Sequence, residues 1–406
     1  MNYQVNNMAP QLADRHHCTG CMACGDACTR SAISTIKDED GHYTYSVDES
    51  KCVLCHNCEK VCPNVSKFNY GDNDLLKSRP YAVWCTLPEI RERSTSGGVY
   101  AALAKTILED NGIVIGAHQE QFYVKHILIN SVDEIQKIQG SKYTQSDTTS
   151  IFKQVKDNLN SGKKVLFSGV GCQVAALLSF LRYNKHLDNL ITVDLICGGA
   201  PSSLLIDRFV KEYEGKVQSI KSYRNKVKYE LTIIDENGKE RAIPLDERPL
   251  PLCGFTTGFT KRYSCYDCQF AKGHRLSDVT IGDFWGGENF KEEKQKGVSV
   301  AIVHSSRGNE LMERASLKMT PIRWRDFLIH NPRMVYGYDN VPNRRKRLAE
   351  DFTQLSYERL QEEYGNKGTW IHPISKLKRV LRILSSKRVE KKRQHFVDNL
   401  LKENNL

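Results

Sequence analysis

Two runs of cysteines near the start of the sequence share one spacing, C-x2-C-x2-C-x3-C. The first run is Cys18, Cys21, Cys24 and Cys28, and the second is Cys52, Cys55, Cys58 and Cys62. Three thiolates so close together wrap one face of an iron–sulfur cubane, and the fourth cysteine of each run binds the other cluster. The spacing therefore predicts two [4Fe–4S] clusters, with Cys62 completing the first set and Cys28 the second. Zinc is the alternative, but zinc sites use separated pairs of ligands.

A further pair, Cys265 and Cys268, is separated by two residues and has no cysteine after it. Partners for a third cluster would have to come from upstream. Cys172 follows an expected strand-to-helix turn, where the helix start favours a thiolate. Cys197 ends the next expected strand, and the carboxyl ends of consecutive strands meet in one crevice of an open α/β sheet. These four cysteines could hold a cluster, or Cys172 and Cys197 could be buried small apolar residues. Their spacing leaves both readings open.

The elements that would position these thiols follow from the hydrophobic pattern, which predicts an α/β (α+β) fold. Strands are expected at 81–85, 163–169 and 190–197, helices at 97–112, 172–183 and 202–213, and a hairpin over 229–243. The sheet is expected to be mixed, with this antiparallel insertion in a parallel core. We divide the chain into a bacterial ferredoxin-like 2[4Fe–4S] domain (1–67), a linker (68–79), an α/β domain (80–320) and a helical basic C-terminal region (321–406).

The cysteine content and the charge of the chain indicate its redox environment and its possible partners. The 406 residues include 14 cysteines and show no secretory signal, which favours metal or redox use of the thiols over disulfides and predicts a cytoplasmic location. The net charge is +11, and residues 341–406 contribute +8 of it through 16 Lys or Arg against 8 Asp or Glu. No nucleic-acid-binding motif accompanies this charge. The basic C-terminal region could dock an acidic protein, contact a membrane surface through "KLKRVLRIL", or be a solvated helix.

Six motifs in order resemble the coenzyme F420 hydrogenase/dehydrogenase β-subunit family. They are "STSGG" (94–98), "GSKYTQS" (140–146), "GVGCQV" (169–174), "DLICGG" (194–199), "SCYDCQF" (264–270) and "SDVTIGDFWG" (277–286). The resemblance implies an FAD-containing iron–sulfur oxidoreductase with a mixed-sheet flavin-binding domain. It also implies that Cys172, Cys197, Cys265 and Cys268 together bind a third [4Fe–4S] cluster beside the flavin.

The remaining motif residues are candidate FAD contacts under this resemblance. They are Ser96, Gly97, Gly98, Ser141, Lys142, Tyr143, Gln145, Asp283 and Trp285. Ser96 is expected to cap a helix whose glycines let a pyrophosphate approach free N–H groups, although an ordinary helix cap explains the same residues. Lys142 could stabilise an anionic reduced flavin or a phosphate, or lie on a solvated loop. Asp283 and Trp285 could line the flavin or simply end a strand.

We therefore expect an electron-transferring flavoprotein. Electrons would pass between an acidic carrier (ferredoxin or flavodoxin), three clusters and FAD, with hydride-equivalent transfer to a small organic substrate. Coenzyme F420 is one candidate substrate, and another small molecule reduced with ferredoxin is the other. The alternative function is a relay subunit without catalysis of its own. No residue is assigned a catalytic role from the sequence.

Overall fold

The structure is a computed structural model of the chain. It describes residues 9–66, 78–213, 216–226, 228–271, 273, 275–285, 290–338, 340–365, 387–388, 391–392 and 394–403. The expected linker and the segment "KLKRVLRIL" lie wholly or mostly outside these residues.

The strands follow one another along the chain as β1 (Ile33–Lys37), β2 (Tyr43–Val47), β3 (Arg79–Cys85), β4 (Ile113–Glu120), β5 (Tyr123–Ile129), β6 (Ser146–Asp147), β7 (Val165–Val170), β8 (Leu190–Leu195), β9 (Val217–Ser222), β10 (Glu230–Asp235), β11 (Glu240–Pro244), β12 (Val279–Asp283), β13 (Ser299–Val303) and β14 (Leu317–Pro321). The α-helices are α1 (Ala23–Ala27), α2 (Asn57–Val61), α3 (Pro88–Arg93), α4 (Val99–Glu109), α5 (Ile135–Ile138), α6 (Ile151–Asn160), α7 (Gly171–Leu181), α8 (Leu204–Glu212), α9 (Leu250–Thr257), α10 (Lys291–Gln295), α11 (Ser306–Arg314), α12 (Trp324–Leu328), α13 (Leu348–Gln354) and α14 (Tyr357–Gly365).

The cysteine-dense segment folds as two similar halves. Helices α1 and α2 each begin after a non-glycine residue in the left-handed region, Met22 (φ 56°) and His56 (φ 55°). Each of these residues lies between the second and third cysteine of its run. A left-handed backbone at such a position is unfavourable for a side-chain-bearing residue. Both runs therefore take the same sharply turned backbone conformation at the matching position.

A nine-stranded mixed sheet forms the centre of the molecule, in the order β14–β3–β13–β12–β8–β7–β4–β5–β6. Strands β4, β7, β8 and β12 are mutually parallel, and the antiparallel strands of this sheet lie on either side of them. Leu166 of β7 faces a core that includes α4, whereas Val165 and Phe167 face a core that includes α6 and α7. Strand β7 is thus covered on both faces, as parallel strands usually are.

The prediction of a mixed sheet is confirmed, but the expected insertion is wrong in its place. The hairpin β10–β11 does form, around a left-handed Gly238 (φ 76°), and joins β9 in a separate three-stranded sheet. Its apolar residues Leu231, Ile233 and Ile243 pack into a core with α8 and α13 rather than into the large sheet. A pattern of alternating residues cannot distinguish one partner sheet from another.

The parallel strands β7, β8 and β12 end together at one edge of the large sheet, at Val170, Leu195 and Asp283. Ligands of open α/β sheets bind at this edge. Cys172 and Cys197 follow two of these strand ends directly.

The C-terminal region is built onto this framework. Trp324 and Phe327 of α12 are buried with Met334, and two residues near the end of the chain, Val397 and Leu401, join the same core. None of the described helices combines the length and the apolar content needed to cross a membrane.

Candidate redox centre

The first predicted thiol set surrounds one cavity in the structure. Cys18, Cys21, Cys24 and Cys62 all line it, together with apolar side chains such as Leu12 and Met22. Burial raises the pKa of Cys21 to about 12, and the charges of Cys18 and Cys62 add to that rise. The cysteine from the second run therefore faces the first three, which is the arrangement that the proposed ligand set requires.

Hydrogen-bond donors point at the sulfurs of this set. The backbone N–H of Gly20 donates to Cys18 Sγ at 3.3 Å, and the Thr44 hydroxyl lies 3.6 Å from the same sulfur. Backbone N–H groups of Ala23 and Gly25 act similarly on the thiols of Cys21 and Cys24, where they oppose the rise in pKa. Such donors stabilise negative charge on sulfur, and they are one means by which proteins tune cluster potentials.

The second predicted set lies nearer the surface. Cys55 is exposed and Cys58 is buried, and burial raises the pKa of Cys58 to about 11, with the charge of Cys55 adding to it. Cys28 and Cys52 are half-buried, and the N–H of Ala32 donates to Cys28 Sγ at 3.3 Å. This set is therefore the one closest to solvent.

The third set converges from three separate segments. Cys172 is the second residue of α7, Cys197 follows β8, and the Cys265–Cys268 pair lies on a turn that begins with a 3-10 helix, Tyr263–Cys265. Burial raises the pKa of Cys172 far above its usual value, followed by the charges of Cys268, Cys197 and Cys265. The N–H of Gly199 donates to Cys197 Sγ at 3.2 Å, and that of Ala200 to Cys265 Sγ at 3.4 Å.

The spacing of the thiols bears on the kind of metal. Within the part of the chain that the structure describes, no three Cys, His, Asp or Glu side chains converge closely enough to hold a single metal ion. A zinc ion would need all four sulfurs at about 2.3 Å from one point. In a [4Fe–4S] cubane each thiolate binds a different iron, so the sulfurs stand farther apart.

The first and third sets are neighbours. Cys21 is among the thiols whose charge raises the pKa of Cys172. The Ser264 hydroxyl donates to the carbonyl oxygen of Cys18 at 3.0 Å, and Arg262 Nη1 donates to the same oxygen at 3.1 Å. Hydrogen bonds therefore connect the loop that contains Cys265 to the loop that contains Cys18.

Two of the candidate flavin residues, Asp283 and Trp285, contact Arg224, which is not among the residues predicted from the sequence. Arg224, almost fully buried, donates to both carboxylate oxygens of Asp283 at 2.6 Å. Its guanidinium also lies 5.3 Å from the Trp285 ring centroid and 5.7 Å from that of Tyr229. Tyr229 in turn stacks against Tyr143, with the ring centroids 6.0 Å apart. We call these residues the aromatic–arginine cluster; its members are Arg224, Asp283, Trp285, Tyr229, Tyr143 and Phe255.

Phe255 connects this cluster to the third thiol set. Its ring stacks on Tyr143 with centroids 3.8 Å apart and an interplanar angle of 3°. A Cβ placed on Gly198 would lie 3.5 Å from the Phe255 ring, so the backbone next to Cys197 packs against it. Phe255 of the aromatic–arginine cluster therefore packs directly against the backbone beside Cys197 of the third thiol set.

The expected helix cap at Ser96 is wrong. Helix α4 starts at Val99, and its N-cap is Gly98 in the left-handed region (φ 78°), with no side-chain cap. The Ser96 hydroxyl instead donates to the carbonyl of Val298 at 3.1 Å, and the N–H of Gly97 donates to Ser299 Oγ at 3.0 Å. The N–H expected to meet a pyrophosphate is thus already bonded to β13. Only glycine can adopt this left-handed backbone freely, which moves the helix start two residues on.

The "GSKYTQS" residues divide between two places. The N–H of Ser141 donates to Thr95 Oγ1 at 2.9 Å, and the carbonyl of Thr95 accepts from Arg224 at 3.3 Å, so Ser141 adjoins the aromatic–arginine cluster. Lys142 donates to the carbonyl of Gln139 at 2.7 Å, and desolvation lowers its pKa to about 7. Gln145 points elsewhere: it bonds Arg262 at 2.8 Å and the carbonyl of Thr19 at 3.2 Å, beside the first thiol set.

The two cysteines left without a predicted metal role are core residues. Cys85 lies in β3 and packs with the core beneath α4, and Cys253 is fully buried in α9.

Comparisons with known proteins agree with these features. A 4Fe–4S dicluster domain matches residues 17–65. The N-terminal and C-terminal models of the coenzyme F420 hydrogenase/dehydrogenase beta subunit match residues 80–153 and 162–321.

Individual relatives match only parts of the chain. Over 89 residues it is 34% identical to the archaeal-type glutamate synthase [NADPH] of Thermotoga maritima, covering 21% of this chain and 16% of that protein. Over 52 residues it is 38% identical to an uncharacterised ferredoxin of Methanocaldococcus jannaschii, covering 13% of this chain and 66% of the ferredoxin. The chain thus spans a small part of the glutamate synthase.

A solved structure, a xenon derivative of the F420-reducing [NiFe] hydrogenase complex from Methanosarcina barkeri, aligns over 70% of this chain and 93% of that chain. Its TM-score is 0.44 and its identity 19%, a similarity too weak to indicate function. The family assignment rests instead on the two beta-subunit models, which together match more than half of the chain. The chain is an iron–sulfur protein that belongs to the coenzyme F420 hydrogenase/dehydrogenase β-subunit family of oxidoreductases.

Proposed function

We propose that this chain is an iron–sulfur flavoprotein that passes electrons between a ferredoxin-type carrier and a small organic substrate through three [4Fe–4S] clusters and FAD. The observation that carries the proposal is the position of the third thiol set. It adjoins the first set through Cys21 and Cys172, and the aromatic–arginine cluster through Gly198 and Phe255. When bound, clusters carry single electrons and FAD exchanges electrons in pairs.

We infer the point at which electrons enter or leave the protein from the exposure of the thiol sets. The second set carries the exposed Cys55, whereas the first set is more buried and its Cys21 is close enough to Cys172 for its charge to act there. Helices α1 and α2 are in contact, so the two ferredoxin-like sets share one small fold. We therefore propose that a protein carrier exchanges electrons at the second set, on the side of Cys55.

The aromatic–arginine cluster fits a flavin. Arg224 Nε is buried and has no hydrogen-bond partner among the described residues, so an acceptor from a ligand would satisfy it. Trp285 and Tyr229 stack on each other with ring centroids 6.1 Å apart, and we propose that an isoalloxazine adds to this aromatic stack. Lys142, whose lowered pKa reflects desolvation, would place a cation near an anionic part of the ligand. We propose Arg224, Tyr229 and Phe255 as FAD-site residues in addition to Ser141, Lys142, Tyr143, Asp283 and Trp285.

The proposal is tested by anaerobic purification followed by iron, sulfide and flavin analysis and an absorbance spectrum. We expect the iron of three clusters and one FAD in each chain. Iron for only two clusters would contradict the proposed third cluster. Absence of flavin after reconstitution with FAD would contradict the proposed flavin site.

A second function, a relay subunit without catalysis of its own, is favoured by the family's designation as a beta subunit. The two functions separate when the purified chain receives reduced ferredoxin and an organic acceptor such as coenzyme F420. Reduction of the acceptor supports the enzyme. Reduction of clusters and flavin without any acceptor turnover supports the relay.

A further inference from the structure

A segment beyond the family-matched residues packs against the third thiol set. The match ends at residue 321, and the segment in question is 333–338. It begins in a 3-10 helix, Pro332–Met334, and its residues Met334 and Val335 are buried in the core formed with α12. Val397 and Leu401 belong to the same core, so the segment is packed against residues near the end of the chain as well as against α12.

This segment contacts the loop that carries Cys265 and Cys268. The Tyr266 ring, next to Cys265, lies 5.4 Å from the Tyr338 ring. Farther along the loop, Arg275 donates to the carbonyl of Met334 at 3.2 Å while pairing with the buried Asp194. The segment 333–338 therefore packs on the loop at two points, Tyr266 and Arg275.

It also contacts the loop that carries Cys197. The Tyr338 hydroxyl donates to the carbonyl of Gly198 at 2.7 Å, and Lys261 donates to that hydroxyl. Gly199 has a left-handed backbone (φ 97°), and a Cβ there would lie 2.8 Å from Lys261 Cδ and 3.2 Å from Cys265 Cβ. The lysine stem is thus packed between the two ligand loops.

Two cations lie against Tyr338 at this point. The guanidinium of Arg333 lies 3.9 Å from the ring centroid, within cation–π range, whereas Lys261 Nζ is bound to the hydroxyl at the edge of the ring. Burial raises the pKa of Cys197, and the charges of Arg333 and Lys261 oppose that rise. Arg333 acts in the same way on Cys268. Their positive charge therefore reaches the thiols of the third set.

We propose that Arg333, Tyr338 and Lys261 form a cationic cap that raises the reduction potential of the third cluster. This inference rests on the proposed function, because it presupposes a cluster on the third thiol set. Reduction adds one negative charge to a cluster, and a cation held nearby stabilises the reduced form more than the oxidised form. A higher potential there would draw electrons from the ferredoxin-like clusters toward the flavin.

The test is an EPR-monitored redox titration of the purified holoprotein and its variants with dithionite as reductant. Cys265→Ser identifies which signal belongs to the third cluster. In Arg333→Met we expect the reduction equilibrium of that cluster to fall about tenfold, which is about 59 mV for one electron, while the other two midpoints stay unchanged. Arg333→Lys retains the charge and should restore most of the potential.

Arg359→Met serves as the control, because Arg359 is an exposed arginine of α14 paired with Glu362. Unchanged third-cluster midpoints in Arg333→Met at full iron content would overturn the cap. If that variant loses iron, Lys261→Met decides by the same criterion. Wild-type protein with iron for only two clusters would instead contradict the proposed function, so the two failures are distinguishable.

Discussion

Arg345 donates to Asp40 at 2.8 Å, and both side chains are almost completely buried. Arg345 belongs to the basic run 344–347 of the C-terminal region, and Asp40 lies in the turn between β1 and β2 of the cysteine-dense segment. Asp40 also pairs with Arg15. At least this member of the basic run therefore fastens the C-terminal region to the ferredoxin-like fold instead of facing a partner.

Removing one partner of this buried pair should be costly. We expect Arg345→Met to lower the free energy of unfolding by about 3–5 kcal/mol, because it leaves Asp40 buried with less compensation. Denaturant unfolding monitored by circular dichroism measures the change. Arg344→Met is the control: its partner Glu363 is half-exposed, and we expect a loss below about 1 kcal/mol. Equal losses in the two variants would show that the Asp40 pair has no special role.

The third thiol set predicts a specific loss of metal. Cys265→Ser and Cys268→Ser should each lose about a third of the iron while retaining the spectrum of the ferredoxin-like clusters, since [4Fe–4S] clusters depend on thiolate ligands. Cys85→Ser and Cys253→Ser are matched controls at buried cysteines and should keep all the iron. Iron content at the wild-type level in both loop variants would contradict the ligand assignment.

The flavin site is best tested at Arg224. Arg224→Met removes the bidentate pair with Asp283 and the donor Nε, and we expect FAD to bind about tenfold to a hundredfold more weakly at constant iron content. Equilibrium dialysis of the flavin measures this. Arg241→Met, at an exposed arginine of β11, should leave the affinity unchanged. Gly97 is less informative, because any side chain there would meet the Val83 carbonyl at 2.5 Å and disturb the packing itself.

Lys142 predicts a dependence of FAD affinity on pH. Desolvation lowers its pKa to about 7, so the free protein carries this charge below that pH and loses it above. A bound anion favours the protonated lysine, so its pKa is higher in the complex. The dissociation constant should therefore be level below about pH 7 and rise with pH above it. In Lys142→Met the rise should disappear. A rise that persists unchanged in the variant would assign it to another group.

Carrier docking predicts a dependence on salt. Lys387, Arg388, Lys391 and Lys392 are exposed, so this run remains available to an acidic protein, in contrast to Arg345. Turnover with reduced ferredoxin should fall as salt rises, because screening acts over about 10 Å at 0.1 M, and Lys391→Glu with Lys392→Glu should slow it further. A small neutral dye provides the control and should show neither effect. If salt and the two substitutions slowed turnover equally with the dye and with ferredoxin, the docking role of this run would be contradicted.

Much of the candidate site could be predicted from the sequence because its chemistry is local. The spacing of Cys18, Cys21 and Cys24 specifies a loop that wraps a cluster whatever the surrounding fold. The third set needed more, since Cys172 and Cys265 are far apart in sequence and only the order of the family motifs joined them.

What could not be predicted depends on tertiary contacts without a local pattern. Arg224 lies in the loop after β9 of the three-stranded sheet, Asp283 ends β12 of the nine-stranded sheet, and nothing in the residues around either one indicates that they pair. Arg345 looked like a surface charge within a basic run, because burial of a charge depends on a distant partner such as Asp40. The N-cap of α4 is Gly98 and not the predicted Ser96, two residues earlier, because serine and glycine both favour the N-cap position.

We propose that the third thiol set connects the ferredoxin-like clusters to the flavin. The most direct measurement is anaerobic stopped-flow reduction of the Cys265→Ser protein by ferredoxin, observed at cluster and flavin wavelengths. We expect the remaining clusters to be reduced at nearly the wild-type rate while flavin reduction slows at least tenfold. Flavin reduction at the wild-type rate in this variant would contradict the claim.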